Sequence, residues 1–374
     1  MVISCKTSTM FFYRKDMMCE FLRQGNEVVA VGDAPEDEWN ETYNEIGVSY
    51  RQIYVQRNGM NPLDDFKTLK SLEKVIGEEK PDKIFAYHSK SVVYGSIAAK
   101  RNGIDEMYAL ISGLGSIIRG TGFKNSIVKA VLKQEYKLAF KLCKAVITHN
   151  TEDRQLLLDE KFTSDASKVK TVNGSGVNLE KFRYSETKKT DIFLFIARLI
   201  GDKGIREYMR AAELVKKTHP EAVFRVVGPY DTNPSAIQPE EVEKYVESGA
   251  IEYVGELADV TPQLNECMAF VLPSYHEGTP KTVLEAMATG RPVITTDAPG
   301  CRAAVQDGVN GFLVPVKDAE SLAERMIYLL ENFDEAVKLG NTGRQIAEDK
   351  YDSVKVNKSV CEIMNIPYKE EITV

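Results

Sequence analysis

The sequence predicts an α/β protein of two doubly wound, Rossmann-like domains, and three observations carry that expectation. Short β-branched or aromatic runs alternate with longer helical patterns, the order that builds βαβ units. Several of these runs have no polar face, as in Phe193-Leu194-Phe195-Ile196-Ala197, which suits parallel strands covered by helices on both sides. One break interrupts the series, where Asn173-Gly174-Ser175-Gly176 leads into a charged stretch over residues 180–189 before the strand pattern restarts. The expected domains are therefore 1–175 and 176–350, with a helical segment 351–374 that packs back on the first. Ligand is expected at the C-terminal ends of the strands and in an interdomain cleft.

Taken in order, the first half places strands at 27–31, 83–87, 107–111 and 145–148, each a cluster of Val, Ile, Tyr, Phe or Ala. The second half places them at 191–196, 223–227, 251–254, 269–272 and 292–295. Between 127 and 142 the apolar residues Ile127, Val128, Val131, Leu132, Leu138, Phe140 and Leu142 share a helix with Lys129, Lys133, Lys137 and Lys141, which recur every four residues. Such a basic amphipathic helix is expected to contact an anionic membrane surface.

Composition narrows the function. At 374 residues, with 43% hydrophobic and 28% charged residues, the chain is long enough for two cored domains, and disorder, collagen and coiled coil are excluded. No apolar run approaches the roughly 18 residues of a membrane span, and the first dozen residues lack a signal-peptide pattern. The expected place is the cytoplasm, peripheral on the inner face of the membrane. A net charge of −7 disfavours nucleic acid as a partner. It is unevenly spread: residues 1–190 hold 29 Lys+Arg against 25 Asp+Glu, or +4, and the remainder 19 against 30, or −11. Six scattered cysteines and four histidines form no metal-ligand pattern. No two aspartates are separated by a single intervening residue, so the D-x-D device for holding a metal on a diphosphate is missing. A bound diphosphate would have to be neutralised by protein cations and helix ends.

The most informative stretch is His276-Glu277-Gly278-Thr279-Pro280-Lys281-Thr282-Val283-Leu284-Glu285-Ala286-Met287-Ala288-Thr289-Gly290-Arg291-Pro292. It reads as strand, loop, helix, turn, strand, with Pro280 at the first helical position and Gly290 just past the last turn. Gly278 and Thr279 then lie at a helix N-terminus, whose free N–H groups and dipole favour an anion. Glu277 and Glu285 stand eight residues apart. A single glutamate here would ordinarily be a solvated helix face, but a carboxylate so placed can also accept hydrogen bonds from two vicinal hydroxyls of a ribose. Arg198 at a strand end and Lys203 opening the next helix can reach one point, as suits a diphosphate.

This stretch resembles the E-x7-E signature of the family 4 glycosyltransferases, retaining enzymes of the GT-B fold that use nucleotide-activated sugars. The likeness continues through Val293 to Arg302 and Asp307 to Val314, and upstream in Ala197-Arg198-Leu199 with Lys203-Gly204. It implies Glu285 on the ribose, Arg198 and Lys203 on the diphosphate, and Glu277 with the backbone of Gly278 to Pro280 on the transferred sugar. Lys281 joins the donor site, and Val254-Gly255-Glu256-Leu257 resembles the loop that contacts the base. The same resemblance implies retention by front-face displacement, a UDP-sugar donor carrying a hexose or N-acetylhexosamine, no cofactor or metal, and a glycan or lipid-linked saccharide as acceptor.

In the first half, Thr9 to Met17 resembles the family's first loop and helix, although Lys6-Thr7-Ser8-Thr9 replaces the usual glycine-rich loop. Thr9 is assigned to the donor on that basis. Ile111-Ser112-Gly113-Leu114-Gly115-Ser116 stands where many relatives carry a histidine, and resembles the form in bacterial enzymes of lipid-linked glycans. His88, Ser112 and Arg119 are candidates for the acceptor. Two other readings stay open at this point: a catalytically silent nucleotide-sugar-binding subunit, suggested by the altered loop and missing histidine, and a GT-B nucleotide-sugar epimerase.

Overall fold

A computed structural model describes residues 1–56, 61–113, 123–232 and 235–369, the side chains of 123–128 excepted. It divides into two compact units, Met1–Ser175 with Ser353–Val374, and Gly176–Asp352.

In the first unit the strands are β1 (Val2–Ile3), β2 (Val29–Gly32), β3 (Ser49–Gln52), β4 (Ile84–Tyr87), β5 (Met107–Ile111), β6 (Ala145–Thr148) and β7 (Val169–Thr171). They form one sheet in the order β3-β2-β1-β4-β5-β6-β7, and every pairing is parallel. In the second unit β8 (Ile192–Ile196), β9 (Val223–Val227), β10 (Glu252–Gly255), β11 (Ala269–Leu272), β12 (Val293–Thr296) and β13 (Gly311–Val314) run β10-β9-β8-β11-β12-β13, again all parallel. The order reverses between β1 and β4 in one sheet and between β8 and β11 in the other. Those reversals are the switch points outside which doubly wound sheets bind ligands.

The central strands are buried along their length, as their composition requires: β4, β5, β6, β11 and β12 have no exposed residue. Edge strands differ. β3 is Ser-Tyr-Arg-Gln and mostly exposed, and β7 is Val-Lys-Thr. Helices start where side chains cap them. Asn61 accepts from the Leu63 N–H, with Pro62 at the first helical position; Asn150 accepts from Asp153 and Asp318 from Ser321.

Three helix boundaries differ from the sequence reading, at Thr7, Lys203 and Pro280. Thr7 to Thr9 are the first turn of the helix Thr7–Arg23, not a loop; Thr7 is held there by Asp33, which accepts from both its N–H and its hydroxyl. Pro280 is the N-cap, in extended geometry, of the helix Lys281–Ala288, one position earlier than expected. The helix Ser353–Ile363 belongs to the first unit, where Val356, Val360, Cys361 and Met364 are buried with Met10, Met17 and Phe21.

Candidate active site

Arg198, Lys203, Glu277 and Glu285 all belong to the second unit, and the switch point between β8 and β11 explains how Lys203 and Glu277 meet. Past β8 the chain makes a short 3-10 turn, Gly201–Lys203, before the helix Ile205–Lys216. Lys203 is thus the last residue of a turn preceding the helix rather than its opening residue. The Asp202 carbonyl accepts from the Tyr275 N–H at 2.9 Å and from the Ser274 hydroxyl at 3.1 Å, which fastens this turn to the loop after β11. Gly204 makes the closeness possible: it has φ +74°, and a Cβ there would lie 2.0 Å from the Pro273 oxygen.

Across the joined loops Lys203 Nζ donates to Glu277 Oε1. Glu277 is fixed from a second side, its N–H donating to the Pro299 carbonyl at 3.0 Å. Gly300, at φ +78°, lies so close that an added Cβ would sit 2.1 Å from the Glu277 backbone carbonyl oxygen. The loop therefore holds its carboxylate in place before any ligand arrives, the preorganisation a binding site requires.

Arg198 follows β8 and pairs with Asp231 at 2.7 Å. Asp231 escaped the sequence reading; it lies just past β9, after Gly228-Pro229-Tyr230. A glycine-proline turn at a strand end was the available signal. The Arg198 side chain is 42% exposed, so this pair contributes little to stability and leaves the guanidinium near solvent.

Glu285 is the contrast. The helix Lys281–Ala288 is buried around most of its girth, Val283 through Ala288 included, and Glu285 is 8% exposed. Burial pushes its carboxyl up to about 7, opposed by Lys281 one turn before it and by Lys181. Thr279 is buried and its hydroxyl donates to the Gly278 carbonyl at 2.8 Å. Leu257 lies past β10, half-buried against the core of this unit.

The remaining candidates lie in the first unit. Thr9 Oγ1 donates to the Lys6 carbonyl at 2.9 Å, a local bond within the first turn. His88 follows β4 and caps the helix Ser89–Arg101 with φ +69° and ψ 145°, a region costly for any residue with a Cβ; its Nδ1 meets Ser4 Oγ at 3.2 Å across the β1/β4 switch point. Ser112 is exposed just past β5. Arg119 lies outside the described residues, as do Leu114 to Gly122. In the lysine stripe, Lys133 and Lys129 approach Glu160 at 3.0 and 3.8 Å.

Comparison with known proteins decides the family. Residues 190–332 match the model for glycosyl transferases group 1, and residues 7–150 that for glycosyl transferase 4-like domains. The N,N'-diacetylbacillosaminyl-diphospho-undecaprenol alpha-1,3-N-acetylgalactosaminyltransferase of Campylobacter jejuni is 31% identical, over 92% of each chain. The chain belongs to the family 4 glycosyltransferases. This glycosyltransferase is also 26% identical, over 72% of each chain, to an Escherichia coli UDP-Gal:alpha-D-GlcNAc-diphosphoundecaprenol alpha-1,3-galactosyltransferase. Among solved structures it resembles Anabaena Alr3699/HepE, crystallised with UDP, at a TM-score of 0.77 and 16% identity over 97% of this chain and 99% of that one. That likeness shows the fold, GT-B.

Proposed function

We propose that the enzyme moves a hexose or N-acetylhexosamine, with retention and without a metal ion, from a UDP-sugar to a hydroxyl of a saccharide carried on a lipid diphosphate. The observation that carries this reading is the constellation at the β8/β11 switch point. Two cations follow β8, Lys203 paired with Glu277 and Arg198 paired with Asp231, and a buried carboxyl, Glu285, lies on the helix after the Glu277 loop. The relatives' names supply the acceptor class: both act on a diphospho-undecaprenol saccharide, and one is named for UDP-Gal.

The chemistry follows from charge. As the bond between the sugar C1 and the phosphate oxygen breaks, negative charge grows on the departing diphosphate. Cations fixed beside it stabilise that change more than the ground state. Arg198 and Lys203 exchange their present carboxylate partners for the phosphates, so Asp231 and Glu277 hold them oriented meanwhile. The leaving oxygen takes the proton of the acceptor hydroxyl as that hydroxyl attacks from the same face, and the released UDP carries the proton away.

Peripheral membrane contact belongs to the same reading. Among the described residues no helix is long and apolar enough to cross a membrane. With Lys129 and Lys133 turned to Glu160, Lys137 and Lys141 beside the half-exposed Leu138 offer the charge for an anionic surface. Binding to anionic vesicles that is unchanged in a Lys137→Glu, Lys141→Glu variant would remove that part. The donor site is tested by thermal shift with UDP, GDP, ADP and their sugars. UDP and UDP-sugars are expected to raise the melting temperature of the wild type and not of Glu285→Ala. A shift with GDP or ADP alone would overturn the UDP assignment.

A further inference from the structure

Arg14 occupies a place where an arginine is expensive. It lies on the buried face of the helix Thr7–Arg23 among Met10, Met17, Met18 and Phe21, and it is 7% exposed. Its guanidinium stacks 5.2 Å from the centre of the Tyr87 ring, at the end of β4. Its NH2 meets His149 Nε2, just past β6, at 3.4 Å. Its Nε is buried with no acceptor, and no carboxylate among the described residues lies within ion-pair distance of it. A buried charge without a counter-charge costs several kcal/mol that a hydrophobic residue of similar volume would not. Methionine, the side chain of three neighbours on that face, is such a residue.

The surroundings fit an anion. His149 is buried beside the guanidinium and held well below the ordinary histidine range by burial and by Arg14, so its ring is neutral and accepts the guanidinium N–H. That leaves the positive charge of Arg14 whole. Tyr87 and His149 place the group at the C-terminal ends of β4 and β6, the end of the sheet where doubly wound domains meet their ligands. A guanidinium matches phosphate oxygens with paired N–H groups.

We propose that Arg14, with His149 and Tyr87 around it, forms a site for a phosphate group, occupied during turnover by the diphosphate of the lipid-linked acceptor. The choice of the acceptor rests on the function proposed above, in which the donor diphosphate already has Arg198 and Lys203. The charge is then held in the empty enzyme at a cost in stability and is balanced when the acceptor arrives.

The test is Arg14→Met, assayed with two acceptors: a lipid-diphosphate saccharide and the same saccharide on an uncharged alkyl aglycone. The expected result is a melting temperature equal to or above that of the wild type, with KM for the diphosphate acceptor raised about 10- to 100-fold, the range of a charge-assisted hydrogen bond. KM for the uncharged acceptor and for the UDP-sugar should stay unchanged. An equal loss on both acceptors, or a lowered melting temperature with unaltered kinetics, would overturn the site. A rise confined to the donor KM would give the phosphate to the donor and overturn the acceptor assignment. If the wild type uses neither acceptor, the proposed function fails and the site is read by binding alone: inorganic diphosphate should still stabilise an Arg198→Ala, Lys203→Ala protein, and Arg14→Met should abolish that shift. No shift in the double variant refutes the site itself.

Discussion

Glu285 gives the sharpest quantitative expectation. Burial raises its carboxyl from 4.5 to about 7, whereas in the unfolded chain it titrates at its ordinary value. Between those two values the folded protein holds a proton that the unfolded chain has lost, so stability falls as pH rises from the unfolded value to the folded one. Below that window the group costs nothing; above it the ionised carboxylate carries the full penalty. At 1.36 kcal/mol per unit, the part falling between pH 5 and pH 8 is about 2 to 3 kcal/mol. Glu285→Gln keeps the shape and removes the titration. Urea unfolding of both proteins across this range should show the variant gaining about 2 to 3 kcal/mol on the wild type from pH 5 to pH 8. A difference that stays flat would refute the buried, unneutralised carboxyl. Donor binding should run the opposite way. In the proposed placement of the donor the ribose hydroxyls donate to ionised Glu285, so UDP should bind about 10-fold more tightly at pH 8 than at pH 6, and this pH dependence should vanish in Glu285→Gln.

Other expectations concern the loops around that helix. Arg198→Ala and Lys203→Ala should each lower kcat/KM by about 100- to 1000-fold with little change in melting temperature, and normal turnover in both would end their assignment to the diphosphate. Gly300→Ala should destabilise and displace the Glu277 loop, since its Cβ would lie 2.1 Å from the Glu277 backbone carbonyl oxygen at φ +78°; an unchanged melting temperature and activity would contradict that packing. His88→Gly should relieve about 1 to 3 kcal/mol of backbone strain, raising the melting temperature while lowering acceptor turnover, and a more stable variant of full activity would show that His88 serves no purpose at the acceptor.

The interior of both sheets was legible from the sequence because buried parallel strands announce themselves. Met107–Ile111, Ala145–Thr148, Val223–Val227 and Ala269–Leu272 stand at the expected residues. Most of the strands not anticipated have physical reasons for their silence. β3 and β7 are sheet edges, where one side needs no partner and polar residues are tolerated, and β1 has two residues, too few for any period; β13, Gly-Phe-Leu-Val, is apolar and mostly buried, and its composition does not explain why it was missed. In the site, the E-x7-E and R-x4-K patterns named residues but not their partners. Asp231 pairs with Arg198 through the fold alone, 33 positions away from it in sequence. Arg14 reads in sequence as one more charged residue on a helix; only its placement on the core face, among methionines, sets it apart.

The account turns on what the enzyme makes. Incubating it with a UDP-sugar and a lipid-diphosphate saccharide in excess EDTA, and reading the anomeric proton coupling of the product by NMR, addresses transfer, retention and metal independence together. A new glycosidic bond with the donor's anomeric configuration, formed at an undiminished rate in EDTA, is the expected result. An inverted linkage, or turnover lost in EDTA and restored by a divalent cation, would contradict the proposal that Arg198 and Lys203 carry the leaving diphosphate.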